Sequence, residues 1–295
     1  YIKALEYPHN SYPLGLKSRQ NMPAFFIILF LLREMCYKCI LTFNNINMKK
    51  FTLLFTSIFI ISACSQNNNP NNAEISDAPP SLIEYVWHKA ESDFTEENLG
   101  MLIKSWNGMI DNAMCSGMMG ANILTPEVSN EGYDFIWVLL WDSQSSRDSC
   151  WNDWTTNLQS NWDTMIDGIM KYDLDNVYLF GWTIGQSPKV QSGTGSFVNS
   201  FNFCNYNEGY SQTDLDKFKD DIAATNWSDS YWYGLLDPKF EPQDPAPDFV
   251  WLDLWANSAE KEIALNKYNN SDLPSTTGAA FTCNNVDFSG VAIRR

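Results

Sequence analysis

The sequence predicts an α+β fold made of two tandem βαββαβ units, and two observations carry this prediction. The segment 134–141 (DFIWVLLW) recurs 114 residues later as 248–255 (DFVWLDLW), and the same order of strand and helix patterns surrounds both segments. Hydrophobic residues make up 44% of the 295-residue chain, which excludes a disordered or collagen-like protein, and the length allows one large domain or two modest ones.

Further matches extend the repeat on both sides of these segments. At the same offset of 114 residues, Gly120 matches Gly234 and Trp87 matches Phe201. With a two-residue gap, the helical stripe Leu99, Leu102 and Trp106 matches Leu215, Phe218 and Ile222. Near the ends of the repeats, Asn176, Val177 and Gly181 match Asn285, Val286 and Gly290. We therefore place the two repeats at residues 82–186 and 196–295, with a linker at 187–195.

The first strand and first helix of each repeat have recognisable boundaries. Aromatic-rich stretches at 85–90 and 197–204 predict the strands. Thr95 followed by Glu96 and Glu97 predicts a helix start with an N-cap and an acidic first turn, and Ser211 with Asp214 does so in the second repeat.

The rest of each repeat follows the same pattern. A second strand is expected near 118–124, and the repeated segment is the third strand. A second helix carries Trp151, Trp154 and Leu158 in the first repeat and Ile263, Leu265 and Tyr268 in the second. The last strands are expected near 177–182 and 286–293, which completes the ferredoxin-like order.

Two such units, each with a tryptophan-bearing third strand before a helix, resemble the dimeric α+β barrel superfamily. This group includes antibiotic-biosynthesis monooxygenases and haem-degrading monooxygenases. The resemblance implies that two sheets pack face to face and that a pocket lies between each sheet and its helices or loops. Here one chain would supply both halves as an intrachain pseudo-dimer.

The N-terminal part contains an export signal. Residues 1–47 have no helical or strand period, and we interpret them as translated DNA upstream of the true start, the alternative being a real extracytoplasmic or regulatory arm. Cys36 and Cys39 form a lone C-x-x-C without a second ligand pair. Residues 48–63 combine a basic start with an eleven-residue apolar stretch, which is typical of a signal peptide and too short to span a membrane.

The signal ends in Ile61-Ser62-Ala63-Cys64, which resembles the lipobox of bacterial lipoproteins. The resemblance implies that Cys64 is acylated and that Ser65 after it directs sorting to the outer membrane of a Gram-negative bacterium, with the domain in the periplasm. The alternative is an ordinary secretory signal with an incidental Cys64. Residues 64–81, rich in Asn and Pro, are expected to form a disordered tether.

The charge of the chain is strongly negative. The full sequence has a net charge of −16. Residues 1–63 hold seven basic and two acidic residues, so the remainder has 12 basic and 33 acidic residues, a net charge of −21. This charge argues against broad contact with nucleic acid and favours solubility beside anionic lipid.

Strand alternation selects the residues that could face a pocket. On the third strands, Ile136, Val138, Leu140 and their counterparts form an aliphatic face, which we expect under the helices. The opposite face, expected to meet the other sheet, supplies the candidate pocket residues Trp137, Trp141, Trp251, Asp253 and Trp255. Asp253 is either a buried carboxylate with a raised pKa or a residue at a wet sheet edge. The twelve tryptophans could stack a sugar or a flat ligand, or form core.

His88 is the only histidine after residue 63, and the alignment places Asn202 at its position in the second repeat. Both are further candidate pocket residues. It is either a general base or ligand contact, or a polar residue on a half-exposed strand. A single histidine makes a zinc site or a two-histidine iron site improbable, so we expect no metal and no cofactor. The haem-degrading relatives use a late histidine as iron ligand, and this chain has none after His88.

Two functions remain open from the sequence. The first is binding of a small apolar or aromatic ligand, or of a periplasmic protein. The alternative is cofactor-independent monooxygenation of a phenolic or quinol substrate.

The four remaining cysteines are expected to pair within the repeats as Cys115–Cys150 and Cys204–Cys283. Export allows disulfides to form and persist, and the βαββαβ order brings the members of each pair to neighbouring positions. The alternative is four free, buried thiols.

Overall fold

The computed structural model describes residues 80–190 and 195–295, whose eight strands close into one antiparallel barrel. The strands are β1 Leu82–Ala90, β2 Met118–Pro126, β3 Phe135–Trp141, β4 Met170–Gln186, β5 Ser196–Tyr206, β6 Trp232–Pro238, β7 Phe249–Trp255 and β8 Phe281–Arg294. Cys64, the signal segment 48–63, residues 1–47 and most of the tether lie outside the described residues.

Six α-helices and one π-helical turn connect these strands. They are α1 Glu96–Asp111, α2 Gln144–Asp153, a π-helical turn Trp154–Leu158, α3 Gln159–Ile166, α4 Gln212–Ala224, α5 Ser258–Asn269 and α6 Leu273–Ala280. In the part of the chain that the structure describes, no helix is both long enough and apolar enough to cross a membrane.

The order of the strands is the same in the two halves of the barrel, the N-terminal half (82–186) and the C-terminal half (196–295). Around the barrel the order is β1-β3-β2-β8-β5-β7-β6-β4, and every neighbouring pair is antiparallel. The N-terminal half therefore runs β4-β1-β3-β2 and the C-terminal half β8-β5-β7-β6. The α+β class predicted from the sequence is confirmed.

The predicted helix starts are confirmed by their caps. The Thr95 hydroxyl accepts a hydrogen bond from the Asn98 backbone at 3.0 Å, which satisfies one amide that a helix leaves unpaired at its N-terminus. Ser211 and Asp214 form a capping box at the start of α4. The predicted second helix of the C-terminal half is present as α5, but Ile263 and Leu265 on it are exposed while Ala264 is buried.

Both predicted disulfides are confirmed. Cys115–Cys150 ties the loop after α1 to α2, with Cα atoms 4.5 Å apart. Cys204–Cys283 joins directly opposite residues of β5 and β8, with Cα atoms 4.0 Å apart.

The expected orientation of the third strands is wrong. Ile136, Val138 and their counterparts on β7 point into the barrel, where they pack with the rings of Tyr85, Phe201 and Phe288. The aromatic face, including Trp137, packs under the helices instead. The physical reason is closure, because the eight strands form one barrel and the face of each strand that turns away from the helices meets the other strands across the interior. The aliphatic side chains of the third strands fill the gaps between the rings there, and their aromatic face lies in the layer between sheet and helices.

Candidate functional site

A cavity lies between the sheet and the helices of the N-terminal half. Its volume is about 60 Å³. Three strand residues of the predicted site, His88, Trp137 and Trp141, line it. Further indoles come from the helices and from the π-helical turn: Trp106, Trp151, Trp154 and Trp162.

The π-helical turn Trp154–Leu158 helps to shape this cavity. It interrupts the otherwise continuous helical segment from α2 to α3 and carries the buried Trp154. Such single turns occur frequently at functional sites, because the extra residue redirects the side chains that follow. Trp154 contacts Trp162 edge to face, with ring centroids 5.8 Å apart.

His88 presents one nitrogen as a hydrogen-bond acceptor. The side chain is 5% exposed, and its Nδ1 lies 2.9 Å from the carbonyl oxygen of Val86. A carbonyl oxygen only accepts, so Nδ1 carries the proton and Nε2 has the lone pair. Burial lowers the pKa of His88 to about 4, and the bond to Val86 opposes this shift only in part. His88 is therefore neutral near pH 7.

Trp137 has an unused donor. Its ring is 4% exposed and packs 5.5 Å from the His88 ring, centroid to centroid. Its Nε1 is buried and has no hydrogen-bond partner among the described residues. A buried donor without a partner costs about 1–3 kcal/mol.

A buried carboxylate beside the cavity holds two of the other indoles. Glu84 on β1 is fully buried and accepts hydrogen bonds from Trp141 Nε1 at 3.0 Å and Trp151 Nε1 at 2.9 Å. Arg147 on α2 forms an ion pair with the same carboxylate, and its Nε lies 2.9 Å from Oε1. These bonds fix the positions of two walls of the cavity.

Tyr172 forms part of the rim. It is only partly buried, lies opposite His88 on the neighbouring strand, and donates its hydroxyl to Asp163 on α3 at 2.6 Å. Burial, followed by the bond to Asp163, raises the pKa of Tyr172. The phenol is therefore neutral and tied to the helix layer.

The C-terminal half contains a second polar cluster on its own helix-facing surface. Asp253 accepts hydrogen bonds from Tyr231 and Trp251 at 2.8 Å and from Asn202 at 3.0 Å. Burial raises the pKa of Asp253 to about 6, although these three donors oppose the shift. Tyr233 stacks on Trp251 with ring centroids 3.9 Å apart, and this contact fills the space beside the cluster.

The strand register corrects the alignment of the repeats. His88 lies opposite Phe135, and Cys204 lies opposite Phe249. Because 135 and 249 are equivalent in the repeated segment, the counterpart of His88 is Cys204, and Asn202 corresponds to Val86. The same reasoning pairs Trp87 with Phe203 rather than Phe201.

The glycine match is also wrong. Gly120 lies opposite Leu140, whereas Gly234 lies opposite Leu252, the equivalent of Val138. The physical reason is that loops of different length separate the strands in the two halves, so one constant offset holds only for β3 and β7.

The sequence-predicted site residues thus fall into two separate groups. His88, Trp137 and Trp141 meet at the cavity, while Asn202, Trp251 and Asp253 are hydrogen-bonded in the C-terminal half. Trp255 lies near the second group, 5.7 Å from the Tyr231 ring. Sequence reasoning missed Glu84, Arg147 and Tyr172, although a charged residue within the apolar strand 82–86 was a signal for the first.

Among residues 80–190 and 195–295, no group of three or more His, Cys, Asp or Glu side chains is placed to hold a metal ion.

Comparisons with known proteins found similarity only to solved structures. No family model matches the chain, and no curated protein matches it. An anthrone oxidase-like protein is 11% identical and matches 74% of this chain and 92% of its own, with a TM-score of 0.43. A dye-decolorizing peroxidase from Bacteroides thetaiotaomicron is 8% identical, covering 75% and 95%, with a TM-score of 0.46.

A mutant chlorite dismutase from Candidatus Nitrospira defluvii, solved with cyanide, is 8% identical, covering 72% of this chain and 92% of its own, with a TM-score of 0.45. All three TM-scores are below 0.5. The description of the fold therefore rests on the strand order and register of this chain and not on these similarities.

Proposed function

We propose that this chain is a lipid-anchored protein of the bacterial outer membrane whose periplasmic domain binds a small, mostly apolar ligand. The ligand site is the tryptophan-lined cavity of the N-terminal half, and this cavity is the observation that carries the proposal. The lipobox-like segment ending at Cys64 and the tether 64–81 support the location.

A cavity in a core of large rings requires an explanation. Leaving about 60 Å³ unfilled costs roughly 1 kcal/mol of stability, at about 24 cal/mol per Å³. The C-terminal half fills the same layer with Tyr233 stacked on Trp251, so the sequence is able to close this space. A ligand would offset the cost in the N-terminal half.

The volume restricts the ligand class. An apolar cavity of about 150 Å³ is known to hold benzene, and this cavity is less than half that size. It therefore favours a molecule, or the end of a molecule, smaller than an aromatic ring. The flat aromatic ligand that the tryptophan content suggested is therefore too large for the cavity as it stands.

We further propose that the two halves are tandem ferredoxin-like units that arose by duplication and form an intrachain pseudo-dimeric barrel. The matching orders β4-β1-β3-β2 and β8-β5-β7-β6 support this, as does the repeated segment 134–141.

Xenon tests the cavity directly, because it is small and enters apolar cavities. We expect xenon to bind in the N-terminal half, detected by xenon-129 NMR or in xenon-pressurised crystals. Leu139→Phe should weaken binding because Leu139 lines the cavity. The matched control is Leu140→Phe, whose side chain packs in the barrel interior instead. Absence of xenon from the wild-type protein would refute the proposed site.

One observation favours the alternative, a cofactor-independent monooxygenase acting on a phenolic or quinol substrate. His88 is neutral and lines an apolar cavity, and its Nε2 can accept a hydrogen bond from a substrate hydroxyl group and so orient it. Such a substrate would have to widen the cavity. Oxygen uptake with a panel of phenols and quinols tests this function, and no uptake with any of them would count against it.

A further inference from the structure

We infer that Tyr172 is the entrance residue of the cavity and that its hydrogen bond to Asp163 is the latch that keeps the entrance closed. A ligand enters and leaves when this bond breaks and the phenol ring swings outward. The inference rests on the proposed function and adds how access to the proposed site is controlled.

The wall of the cavity is thin at two places. Among the described residues that line it, all are buried except Trp151 and Tyr172, which are partly exposed. A buried lining residue has a further layer of protein between it and solvent, whereas a partly exposed one separates the cavity from water by a single side chain. The shortest path for a ligand therefore leads past Trp151 or past Tyr172.

The wall at Trp151 is firmly held. Its Nε1 donates to the carboxylate of Glu84 at 2.9 Å, and Glu84 is fully buried. Arg147 pairs with the same carboxylate and lies over the Trp151 ring, 6.0 Å from its centroid. The preceding residue, Cys150, is bonded to Cys115, which restrains the backbone of α2. Swinging Trp151 outward would break a hydrogen bond to a charge that water does not reach, which is costly.

The wall at Tyr172 is held by contacts at the surface. Its hydroxyl donates to Asp163 Oδ1 at 2.6 Å, and Asp163 is an exposed residue of α3. The Gln159 side chain of the same helix also contacts this hydroxyl. Water can replace an exposed partner when such a bond breaks, so opening costs less at Tyr172 than at Trp151.

The backbone beside Tyr172 is irregular as well. The next residue, Asp173, is paired with β1, but the following paired residue of β4 is Val177. Residues 174–176 are therefore left out of this pairing. Such a bulge interrupts the ladder and bends the strand, and bulges are frequent next to functional sites. The strand is thus braced less firmly beside Tyr172 than a continuous ladder would brace it.

The exchange rate of xenon between cavity and solvent tests the latch, measured on the purified protein by saturation-transfer xenon-129 NMR. Asp163 is not among the described residues that line the cavity. In Asp163→Ala we expect xenon to enter and leave about three- to tenfold faster, the equivalent of one hydrogen bond. The xenon affinity should change little, because the entrance lies on the path in both directions. Asp163→Asn keeps an oxygen acceptor for the Tyr172 hydroxyl and should stay close to the wild-type rate.

Asp153→Ala is the matched control. Asp153 lies in the same helical layer and accepts hydrogen bonds from the Met114 amide at 2.9 Å and from Asn157 at 2.6 Å, and neither partner is among the described lining residues. This variant should exchange xenon at the wild-type rate.

Three results would overturn the inference and leave the proposed function intact. Wild-type exchange in Asp163→Ala would mean that xenon enters elsewhere, such as past Trp151. Equal acceleration in Asp153→Ala would mean that general loosening of the helices admits xenon. Equal acceleration in Asp163→Asn and Asp163→Ala would mean that the acceptor oxygen does not hold Tyr172. If xenon does not enter the wild-type protein at all, the proposed function fails and the inference fails with it.

Discussion

At the scale of single residues, His88 makes the protein sensitive to acid. Its folded pKa of about 4 lies below the ordinary value of 6.5, so the unfolded chain takes up a proton first as the pH falls. Stability is therefore lost between about pH 6.5 and pH 4.

We predict that His88→Gln removes this loss. A shift of this size corresponds to on the order of 3 kcal/mol, so the wild type should lose that much more unfolding free energy between pH 7 and pH 4 than the variant. Urea unfolding at several pH values measures the difference. Parallel pH profiles of the two proteins would contradict the buried, neutral state of His88.

Asp253 has the opposite pH dependence. Its folded pKa of about 6 lies above the ordinary value of 3.8, so the native state holds the proton longer than the unfolded chain. Stability therefore falls as the pH rises from about 4 to about 6.

Asp253→Asn should stabilise the protein at pH 7–8, by on the order of 3 kcal/mol, and have little effect near pH 3.5. The amide oxygen of Asn can still accept from Tyr231 and Trp251. Thermal unfolding at both pH values provides the measurement. The quantity to compare is the difference in stability between variant and wild type at each pH. If Asp253→Asn loses more stability relative to wild type at pH 8 than at pH 3.5, the ionised carboxylate is the favoured form.

At the scale of elements, the helix that follows each third strand places a cation over the sheet. Arg147 comes four residues after the N-cap Ser143, and Lys261 comes four residues after the N-cap Asn257. Arg147 pairs with Glu84, which is fully buried. Lys261 pairs with Asp287 at 2.8 Å, and that carboxylate is 28% exposed.

These two equivalent positions allow a matched prediction. Arg147→Met should destabilise the protein by about 3 kcal/mol or more, because it leaves a buried carboxylate without its cation. Lys261→Met should cost about 1 kcal/mol, since water can partly solvate Asp287. Denaturant unfolding of both variants gives the comparison. Equal costs would mean that burial of the carboxylate does not determine the strength of the pair.

The sequence predicted the positions of the strands and helices better than the side of the sheet on which each strand residue lies. Periodicity, N-caps and the repeated segment located strands and helices because these signals are local. The direction in which Trp137 points was not predictable, since alternation separates two faces without saying which one meets the helices. The counterpart of His88 was missed for a related reason, because register depends on hydrogen bonds between strands and on loop lengths.

The candidate site was predicted only in part. His88, Trp137 and Trp141 were selected by their residue type and by alternation along a strand. Glu84 and Arg147 lie 63 residues apart in sequence and meet only through tertiary packing, so no local pattern joins them. The asymmetry of the two halves arises in the same way, because Tyr233 fills the layer that remains open beside Trp137.

At the scale of the whole molecule, the proposed function includes a lipid anchor at Cys64. We predict that Cys64 is the first residue of the mature protein and that it carries acyl groups. Intact mass spectrometry of protein extracted from the membrane fraction tests this. A mass that includes residues before 64, or that lacks acyl groups, would contradict it, and Cys64→Ser should move the protein from the membrane to the soluble fraction.

The closure of the barrel has a consequence for how the molecule resists aggregation. Each of the eight described strands has a hydrogen-bonded neighbour on both sides, so no row of free backbone amides and carbonyls is offered to another polypeptide. The pairings β2–β8 and β4–β6 alone provide this protection, because they join the two halves. Cleavage within residues 187–195 followed by separation would expose four open sheet edges at once. The edge strands of each half are thus paired with edge strands of the other half. Because both halves belong to one chain, each half is always synthesised together with the partner that covers its edges.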